Sequence, residues 1–281
     1  MPNVLQAILN IEKSASTQLS LSSNTVNRMN SMGEGLEVYI KDAFAETIGE
    51  PDLGVRDTKV AEVFSYLGNA NNIPDAMLKA GDAIEVKKVQ SFFSEIALNS
   101  SYPKDKLYAD DHRVSRACRE SEEWTSKDII YAIGIVPEKG KLKHLWLVYG
   151  DCYAASREVY TRIGSTIKEG VETIVDVEFS ETKELGRVNA VDPLGISYLR
   201  IRGMWHIDNP INIYANIYEV NKDLSFSLAC VLQKTKFDSF PDGDKKAIKN
   251  NANINVQEVK IKNPNNPAQF IDAVLIFIEK T

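Results

Sequence analysis

Apolar side chains recur at helical spacing through residues 2–14 (PNVLQAILNIEKS), which predicts a helix at the start of the chain. The Ser/Thr/Asn-rich stretch from Ala15 to Asn30 reads as a loop or weak helix. Ser31 offers an N-cap for a helix running to about Thr47, with Leu36, Ile40, Ala43 and Phe44 on its inner face. Val60 to Leu67 reads as a strand, or as a helix end leading into one. Polar and apolar residues alternate over most of Ala83 to Val89, and more weakly over Asp75 to Lys79. Between them, Ala80-Gly81-Asp82 has the composition and length of a hairpin turn. Asp110 to Glu123 is charged and predicts a helix. Asp128 to Val136 is apolar on both faces, as a central strand is. A turn over Glu138 to Lys141 returns the chain along His144 to Tyr149, and Ser156 to Glu169 predicts an amphipathic helix. Tyr198 to Trp205 alternates like a strand. A Pro/Asn-rich stretch, Asn263 to Pro267, joins two apolar strands, Ile254 to Ile261 and Phe270 to Ile278. Helix, hairpin, helix and buried strand in that order predict a mixed α/β layering, and no internal repeat interrupts it.

At 281 residues the chain can bury a sizeable core, as one large domain or a domain with a lobe. The start, MPNVLQAILNIEKS, lacks the basic n-region and long apolar core of a signal peptide. No apolar run reaches the length of a membrane span, so a cytoplasmic protein with no membrane partner is expected. Cys118, Cys152 and Cys230 are odd in number and lack CxxC spacing, which fits reduced thiols and no zinc site. His112, His144 and His206 are scattered and read as structural or surface residues. The net charge of −6 works against non-specific nucleic-acid binding, which relies on Lys and Arg neutralising phosphates. A local basic cleft can still coexist with an acidic remainder.

The predicted hairpin carries the most distinctive chemistry: Pro74-Asp75, nine residues, then Glu85-Val86-Lys87. In the register that sets Lys79 opposite Ala83, Met77 faces Glu85 and Asp75 faces Lys87. Asp75, Glu85 and Lys87 then share one face. A one-residue slip would send the carboxylates to opposite faces, and the first register is adopted because it gathers the charges. Ile84, Val86 and Val89 interleave with them, and charges on a partly buried strand need partners or a metal. Mg²⁺ takes hard oxygen ligands and keeps several waters, so Asp75, Glu85 and the Val86 carbonyl are the candidate metal ligands. Lys87 can orient a water, help deprotonate it, or stabilise developing charge. An unperturbed lysine is protonated near neutrality, so a base role needs a lowered pKa. These are the needs of metal-assisted phosphodiester hydrolysis. The plain alternative is a solvated hairpin with charges on its wet face.

This arrangement resembles the PD-(D/E)XK nuclease superfamily. The segment GEGLEVYIKDAF (Gly33 to Phe44) is similar to the helix that precedes the hairpin in those nucleases, with Glu37 at the position of its frequent acidic residue. Glu37 lies at the edge of the inner helix face, and its alternative is a solvated helix glutamate. Further blocks follow in order: FSYLGNANNIPD, ALNSSYPKDKL, DIIYAIG, ETKELG and YLRIRGMW. Together they resemble the NgoPII-like family of type II restriction endonucleases over roughly residues 30–240, and the tail after Phe240 carries no likeness. The resemblance implies a restriction-endonuclease-like α/β core, a central mixed β-sheet flanked by helices, to which the two C-terminal strands read from the apolar pattern are added. It divides the chain into an N-terminal helical segment (1–30), a nuclease core with the DNA-recognition elements (31–240) and a β-rich extension packed on that core (241–281). It also implies Mg²⁺-dependent double-strand cleavage within a short palindrome, GGCC being associated with that family. A homodimer follows, as does a cognate DNA methyltransferase as functional partner. Asp75, Glu85, Lys87 and Glu37 are the catalytic candidates.

Arg200 and Arg202 lie on one face of the predicted strand, and arginine reads guanine through a bidentate contact to O6 and N7. Asn99, Ser101, Tyr102 and Lys104 of NSSYPK have side chains able to contact sugar or phosphate. Lys183 and Arg187 are weaker candidates, and Trp205 reads as core. Arg113, Arg116 and Arg119 make a basic stripe at i, i+3, i+6, which either follows a DNA backbone or pairs with its acidic neighbours. Two rival functions stay open: a repair or recombination nuclease that recognises DNA structure, and a non-catalytic DNA-binding module of nuclease shape.

Overall fold

The structure, a computed structural model, describes all residues except 1, 15, 20–27, 70, 71, 138, 139 and 183, with residues 28–33 and 69 described by backbone alone. A nine-stranded mixed sheet organises it. Its main path runs Phe64–Asn69, Asn72–Leu78, Ala83–Val89, Ser126–Ile135, His144–Tyr149, Phe226–Gln233, Asn266–Lys280 and Asn255–Asn263, and Lys106–Tyr108 pairs with the start of Ser126–Ile135. Two of the junctions are parallel: Ala83–Val89 with Ser126–Ile135, and His144–Tyr149 with Phe226–Gln233. The strands at these junctions are buried almost throughout, as expected of strands covered on both faces. Trp146, Tyr131 and Tyr149 are the largest fully buried side chains among them.

The first helix, Val4–Lys13, is capped by the Asn3 side chain, which accepts from the Leu5 and Gln6 amides. It buries Val4, Leu5, Ala7, Ile8 and Ile11. The second helix runs Arg28–Ala45, so Ser31 lies within it rather than capping it, because no proline halts the helix before that point. Leu36, Ile40, Ala43 and Phe44 are buried, as their spacing predicts. This helix presses onto the central strand at Gly134, where an added Cβ would stand 2.6 Å from the Leu36 side chain. Leu53–Val63 is a helix capped by Asp52, and it hands over directly to the strand that starts at Phe64.

Three further expectations change. Of Asp110 to Glu123, only Arg116–Arg119 is helical. The Asp111 carboxylate takes the Arg113 amide, and the Arg119 guanidinium takes the Ala109 and Asp111 carbonyls, so the segment wraps round its own charges instead of propagating a helix. Tyr198 to Trp205 is two short strands, Leu199–Ile201 and Trp205–Ile207, parted at Gly203 and paired with different partners, Gly186–Asn189 and Ile96–Asn99. The hairpin register is Ala76 opposite Ile84 and Met77 opposite Ala83, with the Leu78 amide closing on the Asp82 carbonyl. The turn is therefore Lys79-Ala80-Gly81, displaced from the expected one. The displacement sets Asp75 two places further along, and a two-place shift preserves the face.

The C-terminal strands are part of the main sheet. Asn266–Lys280 lies between Phe226–Gln233 and Asn255–Asn263, antiparallel to both. The Lys280 ammonium reaches the Ile11, Glu12 and Ser14 carbonyls at 3.4, 2.8 and 2.9 Å, tying the tail to the end of the first helix. The helix Arg157–Val171 follows Ser156, and its apolar stripe of Val159, Ile163 and Ile167 stays exposed. Among the described residues no helix is long and apolar enough to cross a membrane.

Candidate active site

The Asn72–Leu78/Ala83–Val89 hairpin opens towards its strand ends. By the alternation of the ladder, the pair after Ala76/Ile84 would set Val86 against Pro74, which has no N–H to give to the Val86 carbonyl. The Val86 amide donates to Asp75 Oδ2 at 2.6 Å. Gly68 lets the neighbouring strand pass this point: a Cβ there would lie 2.3 Å from the Pro74 carbonyl and 2.9 Å from Asp75 Cα.

Glu85 is buried in the Ala83–Val89 strand. Its Oε1 accepts from Lys87 Nζ at 2.6 Å, which places the two side chains on one face two residues apart. Its Oε2 is buried with no hydrogen-bond partner. Burial, then the Glu85 charge, raises the Asp75 carboxyl well above the ordinary carboxylate range, against the pull of Lys87 and the Val86 amide. Burial works against the Lys87 charge, but Glu85 and Asp75 outweigh it and hold the ammonium above its ordinary value. Lys87 is thus a cation at neutral pH. Glu37, on the second helix, is half-buried and 3.8 Å from Lys41. Burial raises its carboxyl, with Lys41 and Lys87 opposing and Glu85 reinforcing. These field effects bring Glu37, Asp75, Glu85 and Lys87 into one electrostatic unit.

No group of three or more His, Cys, Asp or Glu side chains among the described residues forms a ready metal cage. The protein donors on offer are two carboxylates and the Val86 carbonyl, all oxygen. The partnerless Glu85 Oε2 fits a hard divalent cation that keeps several waters.

The NSSYPK segment packs behind Glu85. Ser101, Tyr102, Lys104 and Tyr131 line a small cavity with it. Lys104 is turned inward and only 2% exposed. Its ammonium is 2.8 Å from Asp111 Oδ2 and 3.0 Å from the centre of the Tyr102 ring. Its backbone amide donates to the Tyr131 hydroxyl at 2.7 Å. Asn99 is exposed and ends the strand that pairs with Trp205.

Tyr102 also borders a larger cleft of about 460 Å³, whose cations are Arg113, Lys168 and Arg202. Tyr102 stacks on Tyr160 at 5.4 Å, and Tyr160 meets the edge of Trp205 at 5.6 Å. Trp205 is half-buried, so it is a cleft wall as well as packing. Arg200 and Arg202 do gather on one side: Glu184 accepts from both, at 3.0 and 2.8 Å from Arg200 Nε and Nη2 and at 2.7 Å from Arg202 Nε. Arg187 lies over the Tyr198 ring, and Lys183 falls outside the described residues. Of the basic stripe only Arg113 borders this cleft, since Arg116 is paired with Glu120 and Arg119 with backbone carbonyls. The roles of Tyr160, Lys168 and Glu184 in this cleft carry no local sequence signal, because separate segments around Tyr102, Arg113, Tyr160, Glu184 and Trp205 come together to form it. His112 and His206 are exposed beside Asp111 and Glu95, and His144 is buried. The three cysteines are free and buried.

Comparison with known proteins covers nearly the whole chain, beyond the limits of the resemblance read from its motifs. The NgoPII restriction endonuclease family model matches residues 2–262. The type II restriction enzyme NgoPII of Neisseria gonorrhoeae is 46% identical over 274 residues, 98% of each chain. The tail after Phe240 therefore has a counterpart in that relative. No solved structure matches. With a carboxylate pair and lysine on one strand face, a mixed sheet that holds them, and this likeness along its length, the chain belongs to the NgoPII restriction endonuclease family and is an enzyme of that class.

Proposed function

We propose that the chain is a Mg²⁺-dependent type II restriction endonuclease that hydrolyses both strands of DNA within a short palindrome, GGCC. The observation that carries this reading is Lys87 Nζ bound to Glu85 Oε1 at 2.6 Å while Oε2, buried and partnerless, stands on the same face as Asp75. Asp75, Glu85 and the Val86 carbonyl would hold the cation. When bound, the cation lowers the pKa of its water and neutralises charge at the phosphate. Lys87, held as a cation beside Glu85, orients the attacking water and stabilises the pentacovalent oxyanion. The bond from water oxygen to phosphorus forms as that water gives a proton to bulk water, the bond to the leaving sugar oxygen breaks, and that oxygen takes a proton back from bulk water, so that one water is added across the bond. Glu37 adds its carboxylate charge to the same electrostatic unit through its coupling to Lys87 and Glu85. Arg200 and Arg202 contact DNA, with Asn99, Ser101 and Tyr102 supporting the backbone side.

Cutting both strands of a palindrome calls for a two-fold homodimer, each protomer taking one strand. A methyltransferase of the same specificity would protect host DNA in the cytoplasm. The test is digestion of plasmid DNA with Mg²⁺ or EDTA and sequencing of the ends. Discrete ends sharing one palindrome only with Mg²⁺ support the proposal. Ends without a common sequence, or cutting in EDTA, sink it.

A further inference from the structure

Glu184 is the least exposed member of a three-residue cluster: its side chain is 17% exposed, against 49% for Arg200 and 62% for Arg202. One carboxylate thus gathers two guanidiniums through three hydrogen bonds. All three use the Nε side of the arginines. Nη1 of Arg200 and both terminal nitrogens of Arg202 keep no partner among the described residues. Among the described residues, Glu184 is also the one carboxylate lining a cleft that presents Arg113, Lys168 and Arg202.

We propose that Glu184 is a specificity-determining positioning residue that holds Arg200 and Arg202 as one base-reading unit. The proposal rests on the reading that these arginines meet DNA. Two free arginines two positions apart would each seek phosphate, which binds every sequence alike. Anchored by their Nε edges, their guanidiniums present preset terminal forks, and a preset fork is what bidentate guanine recognition requires. The carboxylate also cancels one of their two charges, so less of the binding comes from sequence-blind attraction. Specificity is a difference of affinities, and Glu184 widens it from both ends.

The test is Glu184→Gln, the same shape without the charge. Binding is measured in Ca²⁺ at two salt concentrations on a duplex carrying the site mapped by end sequencing, on its single-base variants, and on an unrelated duplex. The ratio of preferred to unrelated affinity falls about tenfold or more, and the salt slope on unrelated DNA steepens by about one phosphate contact. In an Arg200→Ala/Arg202→Ala background, Glu184→Gln lowers the ratio no further. Equal weakening on all duplexes, an unchanged ratio, or the same loss in the arginine-free background overturns the proposal. If Arg200→Ala/Arg202→Ala alone leaves affinity and selectivity untouched, the DNA reading of the arginines falls with it. If Glu184→Gln alone has no effect while the double variant does, only the role of Glu184 is lost.

Discussion

Asp75 Oδ2 takes the Val86 amide at 2.6 Å, at the place where the hairpin ladder would have met a proline. The hairpin therefore ends its ladder in a carboxylate rather than in a strand partner, and the next residues bring Glu85 and Lys87 to the same side.

On the proposed site, Asp75→Ala would remove a cation ligand and leave the proposed DNA contacts in place. Cleavage should fall by at least about a thousandfold. Affinity for the preferred duplex in Ca²⁺ should be little changed. Single-turnover digestion and anisotropy titration measure the two effects, and near-normal cutting would remove Asp75 from the site.

Divalent-cation binding should strengthen as pH rises through neutrality. Burial and Glu85 keep Asp75 protonated above the usual range when no cation is bound, so a cation must displace that proton. Calorimetric Ca²⁺ titrations in buffers of different ionisation enthalpy will show proton release, and Asp75→Asn will abolish it. A cation affinity flat with pH contradicts this.

Lys104→Met leaves Asp111 buried without its counter-charge, which costs about 3–5 kcal/mol. Urea unfolding reads this loss directly. If Lys104 instead turns outward to grip a phosphate, stability will hold and the salt slope of DNA binding will fall by about one contact.

His144 is fully buried, shares a 2.6 Å hydrogen bond with Ser227, and is pushed by burial down to about 3. The folded chain keeps it neutral while the unfolded chain protonates it below about 6.5. Its contribution is therefore fully present above pH 6.5 and is lost as pH falls towards 3, on the order of 4 kcal/mol over that window. Urea unfolding at stepped pH should show the slope, and His144→Gln should flatten it. An identical slope in the variant would assign acid lability to other groups.

The face shared by Asp75, Glu85 and Lys87 was legible because strand parity survives a two-place error in register, and the actual turn, Lys79-Ala80-Gly81, introduces just such an error. The burial of Asp128 to Val136 was legible because a run apolar on both faces has few places to go. The fate of Asp110 to Glu123 was not, since what stops its helix is the pull of Asp111 on Lys104 and the Arg113 amide. The aromatic and cationic cleft was hidden for a related reason. Tyr102, Tyr160 and Trp205 meet only when the small sheet of Ile96–Asn99 and Trp205–Ile207 forms. Periodicity reports which residues share a face, and it is silent on which distant faces meet.

The placement of Asn266–Lys280 inside the sheet, with Lys280 tied to the first helix, has a consequence for biosynthesis. The hairpin bearing Asp75 and Glu85 leaves the ribosome early, yet the sheet that braces it cannot close until about the last fifteen positions of that strand have followed. At roughly 5–20 residues per second, the interval from Tyr149 to Lys280 is on the order of ten seconds. For the last part of that time Phe226–Gln233, once made, waits with one edge open. The strand that holds Glu85 is thus made long before the far side of its own sheet, and the sheet is completed from sequence on both sides of it.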